Sequence, residues 1–294
     1  MNDPVASQGQ GQGQLMRDER HDLPRYADEL PKDFERFRKL LANYSGIPED
    51  QVDDHVRAVR EKAWSIHPYP CVGQWRFLDL SISQHPLYPK VLSMLTSDDD
   101  KKLLDMGCCF AQDLRSLAAD GVPSENLYGA DLRLEFLDLG YDLFRDKGKI
   151  KAHFYEGDAL ALPGSEAEGG LKELNGQFDI VHAASFLHLF SWEDQVTAAC
   201  RLVSFFKPDA KEAVIFGRQI GTLKPGKYQR RNDPNGSRFA HDLNTFQQLW
   251  DGVGEKTGTK WKLEGELRTA PKWRGEGEVS GDTKLMIFQV IKTH

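Results

Sequence analysis

Cysteine is scarce in this chain, with four in 294 residues. Cys108 and Cys109 are adjacent while Cys71 and Cys200 stand alone, so neither a disulfide framework nor CxxC metal-ligand spacing is present. Adjacent cysteines chelate zinc poorly, and no metal is expected. This cysteine usage fits a reducing compartment, and the expected location is cytoplasmic. Long apolar runs are absent too. None could cross a bilayer, and the opening stretch MNDPVASQGQGQGQ lacks the apolar segment of a secretory signal, so no membrane partner is expected. An excess of positive charge is also missing: 38 basic against 45 acidic residues leaves a net charge of -7, which argues against a nucleic-acid partner.

The remaining composition, 39% hydrophobic and 28% charged, is that of an ordinary globular protein long enough to bury a core without staples. Residues 1–20 alternate Gln with Gly and then mix charges, which predicts a flexible tail. Residues 21–98 read as an N-terminal helical cap or lid. In it Phe34, Phe37, Leu40 and Leu41 recur at helical spacing, Pro48 opens a second helix through Val52, Val56, Val59 and Trp64, and a third runs from Pro86 to Leu95. Between them lies an aromatic, proline-punctuated stretch containing Tyr69, Trp75, Arg76 and Phe77.

Residues 99–294 change texture, with short apolar strands alternating with helices. Strands are expected at 102–106, 126–131, 151–158, 178–183 and 212–218, and helices at 111–119, 134–144 and from Ser191, whose SWED spacing suits a capping box. After a helix at 243–253, strands at 260–267 and 284–291 are joined by a polar loop. The predicted fold is α/β and Rossmann-like: a mostly parallel seven-stranded sheet with an antiparallel C-terminal edge hairpin and the N-terminal helical cap.

Ligands of such sheets sit at the carboxyl ends of the strands, so the residues ending each strand matter most. The first ends in Asp105, Gly107 and Cys108, an acid followed by small residues on a turn where backbone can approach a ligand and the next helix offers free N–H groups. The second ends in Asp131, whose carboxylate can accept from two ribose hydroxyls. The third ends in Asp158 and Ala159, where the acid can accept from the exocyclic amine of adenine. The fourth ends in His182 and Ala183, suited to lining a pocket floor. Singly, each has a plainer reading, a turn acid or a tight turn. Four consecutive strands ending in this order of residue types carry the argument.

The segments LLDMGCCFAQD, NLYGAD, EGDAL and FDIVHAASFLHLF resemble, in order and spacing, the motifs of class I S-adenosylmethionine-dependent methyltransferases. Cys109 and Ala111 stand where that family's first motif has its second and third glycines, which predicts a slightly wider loop. From about residue 65 onward HPYPCVGQWRFLDLSIS, HAASFLHLFSWEDQ and GRQIG resemble, more narrowly, fungal secondary-metabolite methyltransferases of the meroterpenoid type. The resemblance implies S-adenosyl-L-methionine as cofactor, a small-molecule acceptor, O-methylation of a carboxyl or hydroxyl group, and a homodimer. It places Asp105 and Gly107 at the methionine end, Asp131 at the ribose, Leu132 beside the adenine, Asp158 and Ala159 at the adenine, and His182 to Ala184 on the floor.

An ionised carboxylate acceptor needs no base, whereas a hydroxyl does, and His182, His188 and His241 are the histidines to weigh. His188 follows the fourth strand, near where an acceptor enters, and is the candidate base. Flanked by Phe186, Leu187, Leu189 and Phe190, it also reads as a packing residue. Tyr69, Trp75 and Arg76 read as a lid that contacts ligand or, more plainly, as rings buried on the sheet; Arg218 and Gln219 are second candidates for substrate contact. Two other functions compete. A nicotinamide oxidoreductase expects G-x-G-x-x-G, but Cys109 and Gln112 occupy the second and third glycine positions. A non-catalytic binding module need not keep Asp105, Asp131 and Asp158.

Overall fold

The computed structural model describes residues 19–23, 25–97, 100–230, 233–270 and 281–293. Residues 1–18 of the expected flexible tail, and Trp273, which reads from the sequence as a core or rim residue like Trp250 and Trp261, lie outside them; the tail's last two residues begin a 3-10 turn, Glu19–Asp22.

The N-terminal pattern folds as α1 (Glu35–Asn43), α2 (Val52–Ile66) and the one-turn α3 (Pro70–Gly73), followed by α4 (Tyr88–Ser97). The helical periodicity has its physical cause in burial: Phe37, Leu41, Val56 and Trp64 pack into one apolar cluster. That cluster also contains Phe110, Phe136 and Phe144 from the second part of the chain, so the N-terminal helices share a core with the elements around the first strand loop.

The sheet begins with β1 (Leu103–Met106), all four residues buried, then α5 (Gln112–Ala119), β2 (Leu127–Asp131), α6 (Leu134–Phe144), β3 (His153–Glu156) and β4 (Ile180–His182). Next come α7 (Trp192–Ser204), β5 (Val214–Thr222), β6 (Gly226–Arg230), β7 (Asp233–Ala240), α8 (Leu243–Thr257), β8 (Trp261–Thr269) and β9 (Thr283–Lys292). The main sheet has seven strands in the order β3-β2-β1-β4-β5-β9-β8. Its first five are parallel, and β9 runs antiparallel to both β5 and β8. β1 sits centrally between β2 and β4, which is why it needs a continuous apolar run.

Capping explains two helix boundaries. The Ser191 Oγ accepts from Asp194 N at 3.2 Å and starts α7. Asp242 and Thr245 form a reciprocal box that starts α8. α8 runs four residues past the expected Val253, until Gly258 turns left-handed at φ 67°. The β6–β7 ribbon was not anticipated. The signal for it was the turn-forming run Asn232-Asp233-Pro234-Asn235-Gly236, of which Asp233 to Gly236 fall at the start of β7, where the pairing register shifts.

Candidate active site

The chain order of the sheet reverses at β1, with β2 on one side and β4 on the other, and the loops beyond their carboxyl ends define the site. The loop after β1 is built from alternate left-handed residues: Gly107 at φ 74°, Cys109 at 55° and Ala111 at 50°. Cys109 and Ala111 therefore keep the backbone conformation that glycine would adopt freely, at a cost of about 1–2 kcal/mol each. Two contacts hold the loop in this shape. Gly107 N and Cys108 N both donate to Ala130 O, at 2.8 and 3.2 Å. Cys109 N donates to the Asp131 carboxylate at 2.8 Å. Cys108 itself is buried, and burial pushes its thiol well up.

Asp131 ends β2 and takes a second bond from Arg133 N at 3.2 Å. Burial raises its pKa while those backbone donors pull it down. The neighbouring strand tip is close: Gly157 N donates to Asp131 O at 3.0 Å, which places Asp158 and Ala159 on the same rim. Asp158 closes an Asx turn through Leu160 N at 2.8 Å. Leu132, the next residue after Asp131, is 51% exposed, an apolar surface available to a flat ring. At the amino end of α5, Gln112 has a buried Oε1 without a hydrogen-bond partner. Gln112 was missed from sequence because a polar residue opening a helix looks like ordinary solvation.

Asp105 and His182 lie elsewhere than expected. They face one another in adjacent register, and His182 Nδ1 donates to Asp105 Oδ1 at 2.7 Å. On its other side His182 Nε2 lies 3.4 Å from Ser81 Oγ, which donates to Asp113 Oδ2 at 3.0 Å. Both Asp105 and His182 are 2% exposed or less. Desolvation lifts the Asp105 pKa against the pull of His182. The pair thus forms an internal polar strut under the loop. Ala183 is equally buried, its N–H paired with Phe216 O at 2.9 Å.

The aromatic stretch divides. Tyr69 is half-buried, and its hydroxyl accepts from Arg133 Nε at 3.4 Å, beside the Asp131 tip. Arg76 reaches the end of β4 and donates to Ser185 Oγ at 3.2 Å. Trp75 is corrected: it is fully buried, its Nε1 donates to Ala27 O at 2.9 Å, and the Arg60 guanidinium covers its ring at 4.0 Å. A left-handed backbone at Trp75, φ 61°, accompanies this inward placement. Arg218 pairs with Asp79 at 2.7 Å. Gln219 is buried, touching Met286 Sδ at 3.7 Å.

His188 lies on a 3-10 turn, Leu187–Leu189, beyond β4 and is buried. Desolvation, aided by the fields of Arg76 and Arg238, drives its pKa to about 3. Such an imidazole is neutral at pH 7, and burial weakens it as a base. His241 is held by Gln195 and Thr245, and burial lowers it to about 4; His85 is lowered to about 4 by burial and then by the field of His182. An unfolded histidine titrates near pH 6.5, so in each case the unfolded chain takes the proton first. Stability is full above about pH 6.5 and is lost as pH falls toward 4 and then 3, by about 1.4 kcal/mol per pH unit for each histidine. A melting temperature that is level above neutrality and drops steeply below about pH 6 is the expected result; a level profile down to about pH 4.5 would contradict it.

Among the described residues no group of three His, Cys, Asp or Glu side chains is placed to hold a metal ion, and no helix is long and apolar enough to cross a membrane. Two surface cavities of about 330 and 320 Å³ lie away from the strand tips, one lined by His85, Glu264 and Phe288 and the other by Pro208 and Lys292.

Comparison with known proteins matches residues 25–78 to the meroterpenoid methyltransferase N-terminal domain and residues 103–209 to a methyltransferase domain. The O-methyltransferase atr3 of Stereocaulon alpinum is 44% identical over 259 residues, 87% of this chain and 72% of its own. The O-methyltransferase phiE of a fungal species is 42% identical, over 77% of this chain and 73% of its own. The Asnovolin E/Chermesin D methyltransferase nvfJ of Aspergillus novofumigatus is 38% identical, over 78% and 80%. With a class I sheet, a methyltransferase domain and relatives at this level, the chain belongs to the fungal secondary-metabolite methyltransferases of the meroterpenoid type.

Proposed function

We propose that this enzyme uses S-adenosylmethionine to methylate a carboxylate oxygen of a small secondary metabolite. The observation that carries the cofactor reading is Asp131, an acid at the β2 tip that anchors the left-handed loop and stands beside the exposed Leu132. A carboxylate has about four acceptor sites, so Asp131 can hold its two backbone N–H groups and two ribose hydroxyls together. Leu132 would pack on the adenine, Asp158 would accept from its amine, and Gln112 with the amino end of α5 would meet the methionine end. Their chemistry fits the group. When bound, it supplies a methyl on a sulfonium, a good leaving group.

The residues of the chain then need only bind, orient and exclude water. Alignment alone can contribute about 7–11 kcal/mol to such a displacement. The acceptor is read as a carboxylate because it is already ionised at neutral pH and needs no base, while burial lowers the basicity of His188. The N-terminal helices act in this reading as a cap carrying Tyr69 and Arg76 to the rim. A cytoplasmic location and a homodimer complete it, supported by cysteine usage and family resemblance alone.

A thermal-shift comparison tests the cofactor. Saturating S-adenosylhomocysteine at about 100 times its Kd adds about 2.7 kcal/mol, a rise of roughly 5–10 °C, whereas NADH adds nothing. Stabilisation by NADH alone would favour the oxidoreductase. Product mass spectrometry with labelled cofactor separates an enzyme from a binding module that takes the cofactor without turnover.

A further inference from the structure

Among the described residues four histidines are buried: His85, His182, His188 and His241. Three of them have both ring nitrogens engaged. His85 meets Leu87 N and Phe288 O, His182 meets Asp105 and Ser81, and His241 meets Thr245 and Gln195. His188 is the exception, because its buried Nδ1 has no hydrogen-bond partner. Buried polar groups in folded proteins are nearly always paired, so an orphan on a strand-end turn calls for an explanation.

A second orphan lies on the neighbouring strand. Gln219 of β5 is 1% exposed, and its Oε1 has no partner. The backbone brings the turn carrying His188 against the strand carrying Gln219. Ser185 N donates to Arg218 O at 2.6 Å, and the Leu187–Leu189 turn packs on both β5 and β7. On its far side Phe239 N donates to Phe190 O at 2.9 Å, which brings the ribbon residue Arg238 over the same end of the sheet. Arg76 arrives from the N-terminal part through Ser185. Two unpaired polar groups therefore sit between two guanidinium-bearing elements, beyond the strand that adjoins the cofactor loop.

We propose that His188 and Gln219 orient the methyl acceptor. His188 donates from Nδ1 to the carboxylate oxygen that does not attack, Gln219 accepts through its free Oε1 from a second polar group of the same acceptor, and Arg76 and Arg238 select for an anion. This rests on the carboxylate reading above. The attacking oxygen forms an O–CH3 bond as the C–S bond breaks, with the electron pair staying on sulfur and no proton moving. Opposite charges are neutralised in that step. The two arginines therefore stabilise the bound acid more than the transition state, and Arg238→Ala acts chiefly by weakening acceptor binding, read as a rise in KM. Loss of His188 removes orientation as well as binding.

The full chain loaded with S-adenosylhomocysteine is titrated with benzoate, 4-hydroxybenzoate and abietate, each against its methyl ester, by thermal shift and calorimetry. At least one acid binds, and its ester does not. His188→Leu weakens that acid about 10–100-fold while its response to S-adenosylhomocysteine stays within twofold of the native protein. His188→Asn, whose amide N–H can take the place of Nδ1–H, regains most of the loss. Gln219→Leu weakens the acids that carry a second polar group more than benzoate. Equal acid binding by His188→Leu, equal binding of acid and ester, or no acid binding by a protein that does bind S-adenosylhomocysteine overturns the proposal and leaves the methyltransferase reading intact. A native protein that ignores S-adenosylhomocysteine overturns both.

Discussion

Replacing Asp131 with alanine lowers affinity for S-adenosylhomocysteine by about 10²–10⁴-fold. The size follows from losing two hydrogen bonds to a charged acceptor, about 1.5–3 kcal/mol each. It is compounded by the loop, since the same carboxylate fixes Cys109 N at 2.8 Å and so maintains a left-handed conformation that cysteine does not favour. Asparagine, which keeps one acceptor oxygen but no charge, falls between alanine and the native residue. The fold survives, because removing a carboxylate whose pKa is raised by burial relieves desolvation that offsets part of the lost bonding. Calorimetric titration of both variants measures this. Affinity within threefold of native in Asp131→Ala would remove Asp131 from the ribose and with it the cofactor reading.

The largest expected effect on stability lies just behind the site. Arg115 of α5 is completely buried and grips Asp146 with two bonds, Nε to Oδ2 at 2.8 Å and Nη2 to Oδ1 at 3.0 Å. Its remaining nitrogen donates to Phe110 O at 2.9 Å, and the Tyr44 hydroxyl donates to Asp146 at 2.9 Å. One guanidinium thus ties the loop after β1, the chain after α6 and the N-terminal helices together. Arg115→Ala leaves a buried carboxylate without its counter-charge, a loss of about 3–5 kcal/mol and a fall in melting temperature of roughly 10 °C. Arg115→Met with Asp146→Leu recovers much of that loss, because desolvation of both charges disappears together. Chemical denaturation of the two proteins measures both numbers. A change under about 1 kcal/mol in the single variant would show that the ion pair is not the joint.

How much of this was legible in advance differs by element. Helix α6 was read at its observed limits, and β1 and β2 within one residue, because an apolar run between turn residues has few ways to be buried. The antiparallel edge was legible for a similar reason, since two late strands follow one another without a crossover helix. Other features were not legible. Asp105 and His182 each end a strand and each looked ligand-facing; that they point at one another depends on β1 and β4 being neighbours in the sheet. Trp75 looked like a lid residue because an aromatic beside an arginine can be either rim or core.

The strands themselves, the acids at their tips and the small-residue loop follow from local pattern, since burial periodicity and turn chemistry act over a few neighbouring residues. Which polar groups are spent on one another and which are left for a ligand was decided only by the tertiary structure. Hydrogen-bond partners such as Asp105 and His182, or His241 and Gln195, lie 77 and 46 residues apart. Only packing reveals that, of the four histidines buried among the described residues, His188 has a buried ring nitrogen with nothing to bond.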